Sequence, residues 1–190
     1  MQPLGWTAGP DEEIDEGDTS TSAGSFSDPD DDTWTATVDY GDGSPVENLT
    51  LAGKNFVLSH EYADNGTYEI TVRVSDGVAD PVATTASVVV NNVAPTVEFD
   101  PDDDATIFEG GTFETAGSFT DPRVDDSWTA TVDYGDYSGV QALPLSGMNF
   151  QLSHTYANNG SGPFPVTVTV TDDDDGEGSG TARATVIYQI

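Results

Sequence analysis

The chain repeats itself. Phe26-Ser27-Asp28-Pro29 returns 93 positions later as Phe119-Thr120-Asp121-Pro122, and the run from Trp34 to Asp42 returns 94 positions later, residue for residue, from Trp128 to Asp136. Phe56, Leu58, Ser59, His60, Tyr62, Ala63, Asn65 and Gly66 recur as Phe150, Leu152, Ser153, His154, Tyr156, Ala157, Asn159 and Gly160, and Asp76 recurs as Asp172. A chain built this way folds as copies of one unit, so any architecture must suit both copies. The repeat divides it into residues 1–92 and 93–190. They join at Asn91-Asn92-Val93-Ala94-Pro95, where a proline and its restricted predecessor make a short, stiff connector.

Inside each unit the apolar period is two. Trp34, Ala36, Val38 and Tyr40 alternate with Thr and Asp; Ile70, Val72 and Val74 alternate with Thr71, Arg73 and Ser75; Val166, Val168 and Val170 alternate with threonines. Alternation of this kind puts one strand face in a core and the other in water. No segment carries a helical stripe, and turns rich in Gly, Asn, Asp and Pro recur every ~8–12 residues, the spacing of a sandwich of about seven short strands. The expected fold class is all-β, two tandem immunoglobulin-like β-sandwiches.

Charge narrows the function classes. Four Lys+Arg stand against 35 Asp+Glu, a net charge of −31. Residues 1–92 hold 18 acids and 2 bases and residues 93–190 hold 17 and 2, so acidity belongs to the unit and is not an acidic tail. Binding to nucleic acid rests on Lys and Arg neutralising phosphates, so nucleic acid and anionic membrane are repelled partners. No apolar run approaches the ~20 residues of a membrane-spanning helix, so no membrane insertion is expected, and the first residues do not read as a secretion signal. The absence of cysteine removes disulfides, thiolate nucleophiles and zinc-cysteine sites. With 3 Trp, 7 Tyr and 8 Phe beside many Val and Thr, the composition is that of a folded chain despite its charge.

These residues carry a resemblance. Phe26-x-Asp28-Pro29, Trp34-Thr-Ala-Thr-Val-Asp-Tyr-Gly-Asp-Gly43, Leu58-Ser59-His60-Glu61-Tyr62-Ala63 and Gly66-Thr-Tyr-Glu-Ile-Thr-Val72 resemble the polycystic kidney disease (PKD) domain, and the resemblance covers both repeats. The second unit departs from the pattern at Tyr137, where the first has Gly43. The resemblance implies a fibronectin-like sandwich used as an extracellular or cell-surface accessory module, in tandem with neighbouring repeats of the same protein.

The acids are 25 Asp to 10 Glu, and Asp favours turns and serves as an oxygen ligand. In a sandwich the loop after the second strand (Asp28, Asp30, Asp32; Asp121, Asp125, Asp126) and the loop after the sixth (Asp76; Asp172 to Asp175) lie at one pole. Carboxylates packed there repel one another, and a cation taking six to eight oxygens offsets the repulsion. Ca2+ tolerates irregular cages, whereas magnesium demands an octahedron and no His or Cys cluster suits a transition metal. An EF-hand is excluded, because Thr33 stands where its glycine belongs. The candidate ligands are Asp28, Asp30, Asp32, Asp76, Asn92, Asp121, Asp125, Asp126, Asp172 and Asp174. The alternative is that the acidic loops are simply solvated, or reflect adaptation to high salt. On the first reading the pole of the second unit faces Asn91-Asn92, and calcium there stiffens the pair in a manner similar to cadherin repeats.

His60 and His154 adjoin Ser59 and Ser153, but adjacent strand residues point to opposite faces and do not form a dyad, so both histidines read as framework. Trp34 and Trp128 read as core, and Tyr62 and Tyr156 as corner residues with a bonded hydroxyl. Trp6 has no counterpart in the second unit. Two functions follow. The first is a calcium-stabilised extracellular spacer of a larger adhesin, stalk or fibre, without an active site. The second is an accessory module that helps a secreted hydrolase hold carbohydrate or protein, which requires exposed aromatics on one sheet face. The apolar last strand, Val186 to Ile190, adds possible self-association or a cell-surface or matrix partner.

Overall fold

A computed structural model describes residues 12–29, 33–78, 80–100, 104–122, 127–157 and 162–188. The chain divides into two compact units, Met1–Asn92 and Val93–Ile190. Every element among the described residues is a β-strand, as the period of two requires. In unit 1 they are β1 (Glu12–Asp15), β2 (Thr19–Ser25), β3 (Thr35–Asp39), β4 (Glu47–Leu49), β5 (Leu51–Ala52), β6 (Asn55–Glu61), β7 (Gly66–Ser75) and β8 (Val82–Asn91). Unit 2 has β9 (Thr96–Glu98), β10 (Ala105–Phe108), β11 (Thr112–Thr120), β12 (Thr129–Asp133), β13 (Gln141–Ala142), β14 (Leu145–Ser146), β15 (Asn149–Thr155), β16 (Phe164–Thr171) and β17 (Glu177–Ile187).

Each unit is a sandwich of two sheets. Unit 1 pairs strands in the order β1-β8-β7-β3-β4 in one sheet and β2-β6-β5 in the other, and unit 2 repeats this as β10-β17-β16-β12-β13 and β14-β15-β11-β9. Neighbours are antiparallel except at one edge, where β1 runs parallel to β8 and β10 parallel to β17. The alternating valines fill the space between the sheets: Val72, Val74 and Val88 in unit 1, and Val166, Val168 and Val170 in unit 2, are fully buried. Complete burial of one such side chain stabilises by roughly 1.5–3 kcal/mol.

One glycine in each unit is there for space. Gly24 lies opposite Phe56 on β6 and Gly117 opposite Phe150 on β15. A Cβ on Gly24 would stand 2.3 Å from the Phe56 ring, and one on Gly117 2.4 Å from the Phe150 ring. The phenylalanine lies across the bare backbone of its partner strand, which explains why Ala-Gly-Ser-Phe recurs at 23–26 and 116–119. Both rings are only 2% exposed.

Candidate functional site

The register brings the acidic segments together. Thr35 at the start of β3 pairs with Ser75 at the end of β7, so Trp34 and Asp76 flank the same pole of unit 1. In unit 2 the equivalent pair is Thr129 with Thr171, flanked by Trp128 and Asp172. The indole Nε1 of Trp34 donates to Asp28 Oδ2 at 3.3 Å, and that of Trp128 to Asp121 Oδ2 at 3.0 Å. Asp28, Asp121 and Asp172 are buried. The two tryptophans pack against the cores, as expected, but remain half-buried: each sets its ring edge-on against a core phenylalanine (Phe26 or Phe119) and turns its N–H to the pole carboxylate.

The loop after β16 is tightly ordered around Asp172. Its Oδ1 accepts the amides of Asp174 at 3.0 Å and Gly176 at 2.7 Å, and Asp175 takes φ 66°, a left-handed conformation that Asp tolerates better than most side chains. Asp173 reaches across, its Oδ1 accepting the amide of Ser127 at 3.4 Å. Asp76, the unit 1 counterpart of Asp172, accepts the Val78 amide at 2.9 Å. Asp174 is exposed. Asn92 follows β8 and lies at the other end of unit 1 from Asp28 and Asp76. Asp30, Asp32, Asp125 and Asp126 lie outside the described residues. Among the described residues, no group of three or more His, Asp or Glu is close enough to hold a metal ion.

The acidic pole of unit 1 carries a cationic side chain that the equivalent position in unit 2 lacks. Lys54 Nζ donates to the Asp28 carbonyl at 2.5 Å and stands 4.9 Å over the Trp34 ring. Unit 2 has Met148 at that position, packed against its core. Unit 1 thus carries a built-in ammonium beside its acidic pole, where unit 2 has a thioether.

The opposite pole holds a second duplicated cluster that sequence reasoning missed. His60 Nε2 meets Asp42 Oδ2 at 2.7 Å, and His154 Nε2 meets Asp136 Oδ2 at 2.8 Å. Each imidazole stacks flat on a tyrosine, His60 on Tyr40 at 4.0 Å and His154 on Tyr134 at 4.1 Å. The corner hydroxyls are bonded as expected, Tyr62 to the Tyr40 carbonyl at 3.1 Å and Tyr156 to the Tyr134 carbonyl at 2.8 Å. Burial pushes the Asp42 carboxyl up, but hydrogen bonding to Ser44 and His60 outweighs it and holds the group at about 2. Burial raises Asp136 too, and Ser138 and His154 likewise bring it below the usual carboxylate range. An ionised carboxylate only accepts, so Nε2 of each histidine carries the hydrogen. Burial raises the Tyr62 and Tyr156 hydroxyls, with the charges of Asp42 and Asp136 adding to it. Ser59 and Ser153 are exposed while His60 and His154 turn inward, so the Ser-His pairs are not dyads. The cluster ties the turn after β3 or β12 in one sheet to β6 or β15 in the other.

Comparison with known proteins gives the same duplication. Residues 2–90 and 92–187 each match the family model described as PKD domain. No curated protein matches the chain. Among solved structures, the fibronectin(III)-like modules of Clostridium thermocellum CbhA are 14% identical, with 97% of this chain and 94% of that chain covered, at a TM-score of 0.38. Titin domains I67–I69 are 8% identical, with 100% and 65% covered, at 0.45. A calcium-stabilised, ice-binding adhesin of an Antarctic bacterium is 18% identical, with 91% and 45% covered, at 0.32.

Proposed function

Because the chain belongs to the PKD domain family, we propose that it is an extracellular spacer, two structural repeats of a larger surface protein, without a catalytic role. The observation that carries this is the use of its polar residues. In both units the buried Asp–Trp pair, the Asp–His–Tyr cluster and the corner tyrosine bind groups of the same unit, at equivalent positions. Groups bonded this way within their own unit hold a fold together. The accessory-module reading needs a row of aromatics on a sheet face. Among the described residues the exposed aromatics are Phe108, Tyr137 and Tyr188, one in a turn and two at strand ends.

Calcium is the second part of the proposal. The donors at the poles are hard carboxylate oxygens, the type calcium takes. Asp121, Asp172 and Asp174, with Asp125 and Asp126, would hold it in unit 2; Asp28, Asp76, Asp30 and Asp32 are their counterparts in unit 1. A bound cation would relieve repulsion among carboxylates of the same pole. Lys54 already supplies a positive charge beside Asp28 in unit 1, and the unit 2 loop carries Arg123 two residues after Asp121. Thermal unfolding of the full chain tests this: calcium at ~100 times its dissociation constant should stabilise by ~2.7 kcal/mol, reversed by chelator. Equal stabilisation by sodium at the same ionic strength would mean general screening of the −31 charge and would remove calcium from the reading.

A further inference from the structure

The turn after β12 carries a residue its own unit has no use for. Unit 1 has Gly43 there, at φ 87° with nothing within 4 Å of where a Cβ would stand. Unit 2 has Tyr137 at φ 65°, a left-handed conformation that disfavours an L side chain, and its ring is wholly exposed, at 101%. The turn does not need the tyrosine. In both units it is built by the same bonds: Gly41 N to Asp39 Oδ1 and Ser44 N to Asp42 Oδ1 in unit 1, Gly135 N to Asp133 Oδ1 and Ser138 N to Asp136 Oδ1 in unit 2. His60 and His154 then pin Asp42 and Asp136. A large ring in a disfavoured conformation, wholly exposed on a turn whose backbone is held by side-chain bonds, is placed to meet a group outside the domain.

We propose that Tyr137 is a contact residue for a polypeptide partner that presents an arginine or lysine side chain. Both faces of the ring are open, and the pinned turn fixes the backbone position from which it is presented, as suits an aromatic anchor at an interface. Val140, three residues further along the same connection, is also exposed, at 66%. The partner's charge follows from the surroundings. Unit 2 holds 17 acids and 2 bases, so its field draws cationic surfaces in and turns acidic ones away. A guanidinium stacked on a phenol ring joins that field to a fully open aromatic face. This inference does not depend on calcium or on the spacer reading.

The probe is a short arginine-rich peptide, titrated calorimetrically into the full chain at ~0.15 M salt, where charges beyond about 8 Å are screened. Tyr137→Gly should weaken binding roughly two- to fivefold, the scale of an exposed cation–π contact, and Tyr137→Phe should bind as the parent does. Tyr137→Gly should also raise the melting temperature of unit 2 by roughly 3–6 °C as the left-handed turn regains glycine. Equal affinity of parent and Tyr137→Gly would show the peptide held by charge alone and overturn the proposal. A fall in melting temperature in Tyr137→Gly would make the ring structural, with the same consequence. Binding of a neutral oligosaccharide that depends on Tyr137, with no such dependence for the peptide, would assign the ring to carbohydrate instead.

Discussion

Removing one oxygen from Tyr156 should cost unit 2 a measurable share of its stability. The side chain is fully buried, and its hydroxyl donates at 2.8 Å to the carbonyl of Tyr134, itself only 4% exposed. Tyr156→Phe keeps the ring, its edge-on contact with His154 and its stack on Phe164. What is lost is the bond, about 1 kcal/mol net, together with part of the 1–3 kcal/mol for leaving a buried acceptor without its donor. We expect about 2 kcal/mol. Unfolding entropy of about 2.1 cal/mol/K per residue turns this, for a unit spanning Val93–Ile190, into a fall of roughly 10 °C in melting temperature. Scanning calorimetry of the full chain should show that shift in the unit 2 transition, with Tyr62→Phe producing a comparable one in unit 1. A change below about 0.5 kcal/mol would mean that another donor replaces the hydroxyl, and the corner bond would not be a determinant of the fold.

Other consequences can be checked in the same way. Gly24→Ala and Gly117→Ala drive a Cβ into a packed ring, and urea denaturation should show losses of about 1–3 kcal/mol, the larger in Gly117→Ala because the Glu98 carbonyl also stands 3.0 Å away. Trp34→Ala and Trp128→Ala remove a half-buried ring and the indole donor to Asp28 or Asp121, a cost of about 2–4 kcal/mol by equilibrium unfolding. Stability should have two pH edges. The depressed carboxyls of Asp42 and Asp136 contribute above their unfolded value of ~3.9, and this is lost as pH falls through the folded values, about 2 for Asp42; Asp42→Asn should flatten that acid slope. The raised hydroxyls of Tyr62 and Tyr156 contribute below their unfolded value of ~10, and stability should fall as pH rises beyond it, less steeply in the Phe variants. Lys54→Met, which gives unit 1 the residue of unit 2, should increase the response of unit 1 to calcium; an unchanged response would show that the ammonium does not compete with the metal.

The strands were legible because alternation is a local signal: Val72 and Val74, or Val166, Val168 and Val170, declare their buried face without knowledge of any partner. The corner tyrosines were legible for a similar reason, since a buried phenol must find an acceptor. What escaped was pairing between sheets. Asp42 and His60 are 18 residues apart, one in a turn after β3 and the other on β6, and no periodicity connects them. The available signal was their recurrence at the same offset of 94 as Asp136 and His154. The size of Trp34 places it against the core, but its one polar atom, bonded to Asp28 six residues upstream, keeps it half-buried, and nothing in the alternation announces that bond. The parallel edge of β1 and β8 was not legible either, because alternation gives the face of a strand and not its neighbour. Trp6 does have a counterpart: the offset of 93 sets it against Phe99, whose ring packs edge-on to Phe150; residue 6 itself lies outside the described residues.

That parallel edge bears on how a repeat carries load. Within unit 2, Ala105 to Phe108 pair in step with Ala184 to Ile187, both running the same way, and unit 1 does the same from Glu12 to Asp15 with Val88 to Asn91. Tension applied through the chain on either side of a unit draws the first strand of the pair backward and the last one forward. The four-residue ladder is therefore loaded along its length, and its hydrogen bonds must yield together. A hairpin pulled at its open end would instead unzip one rung at a time. Mechanical resistance in each unit thus depends on the direction of two short strands more than on the number of bonds between them.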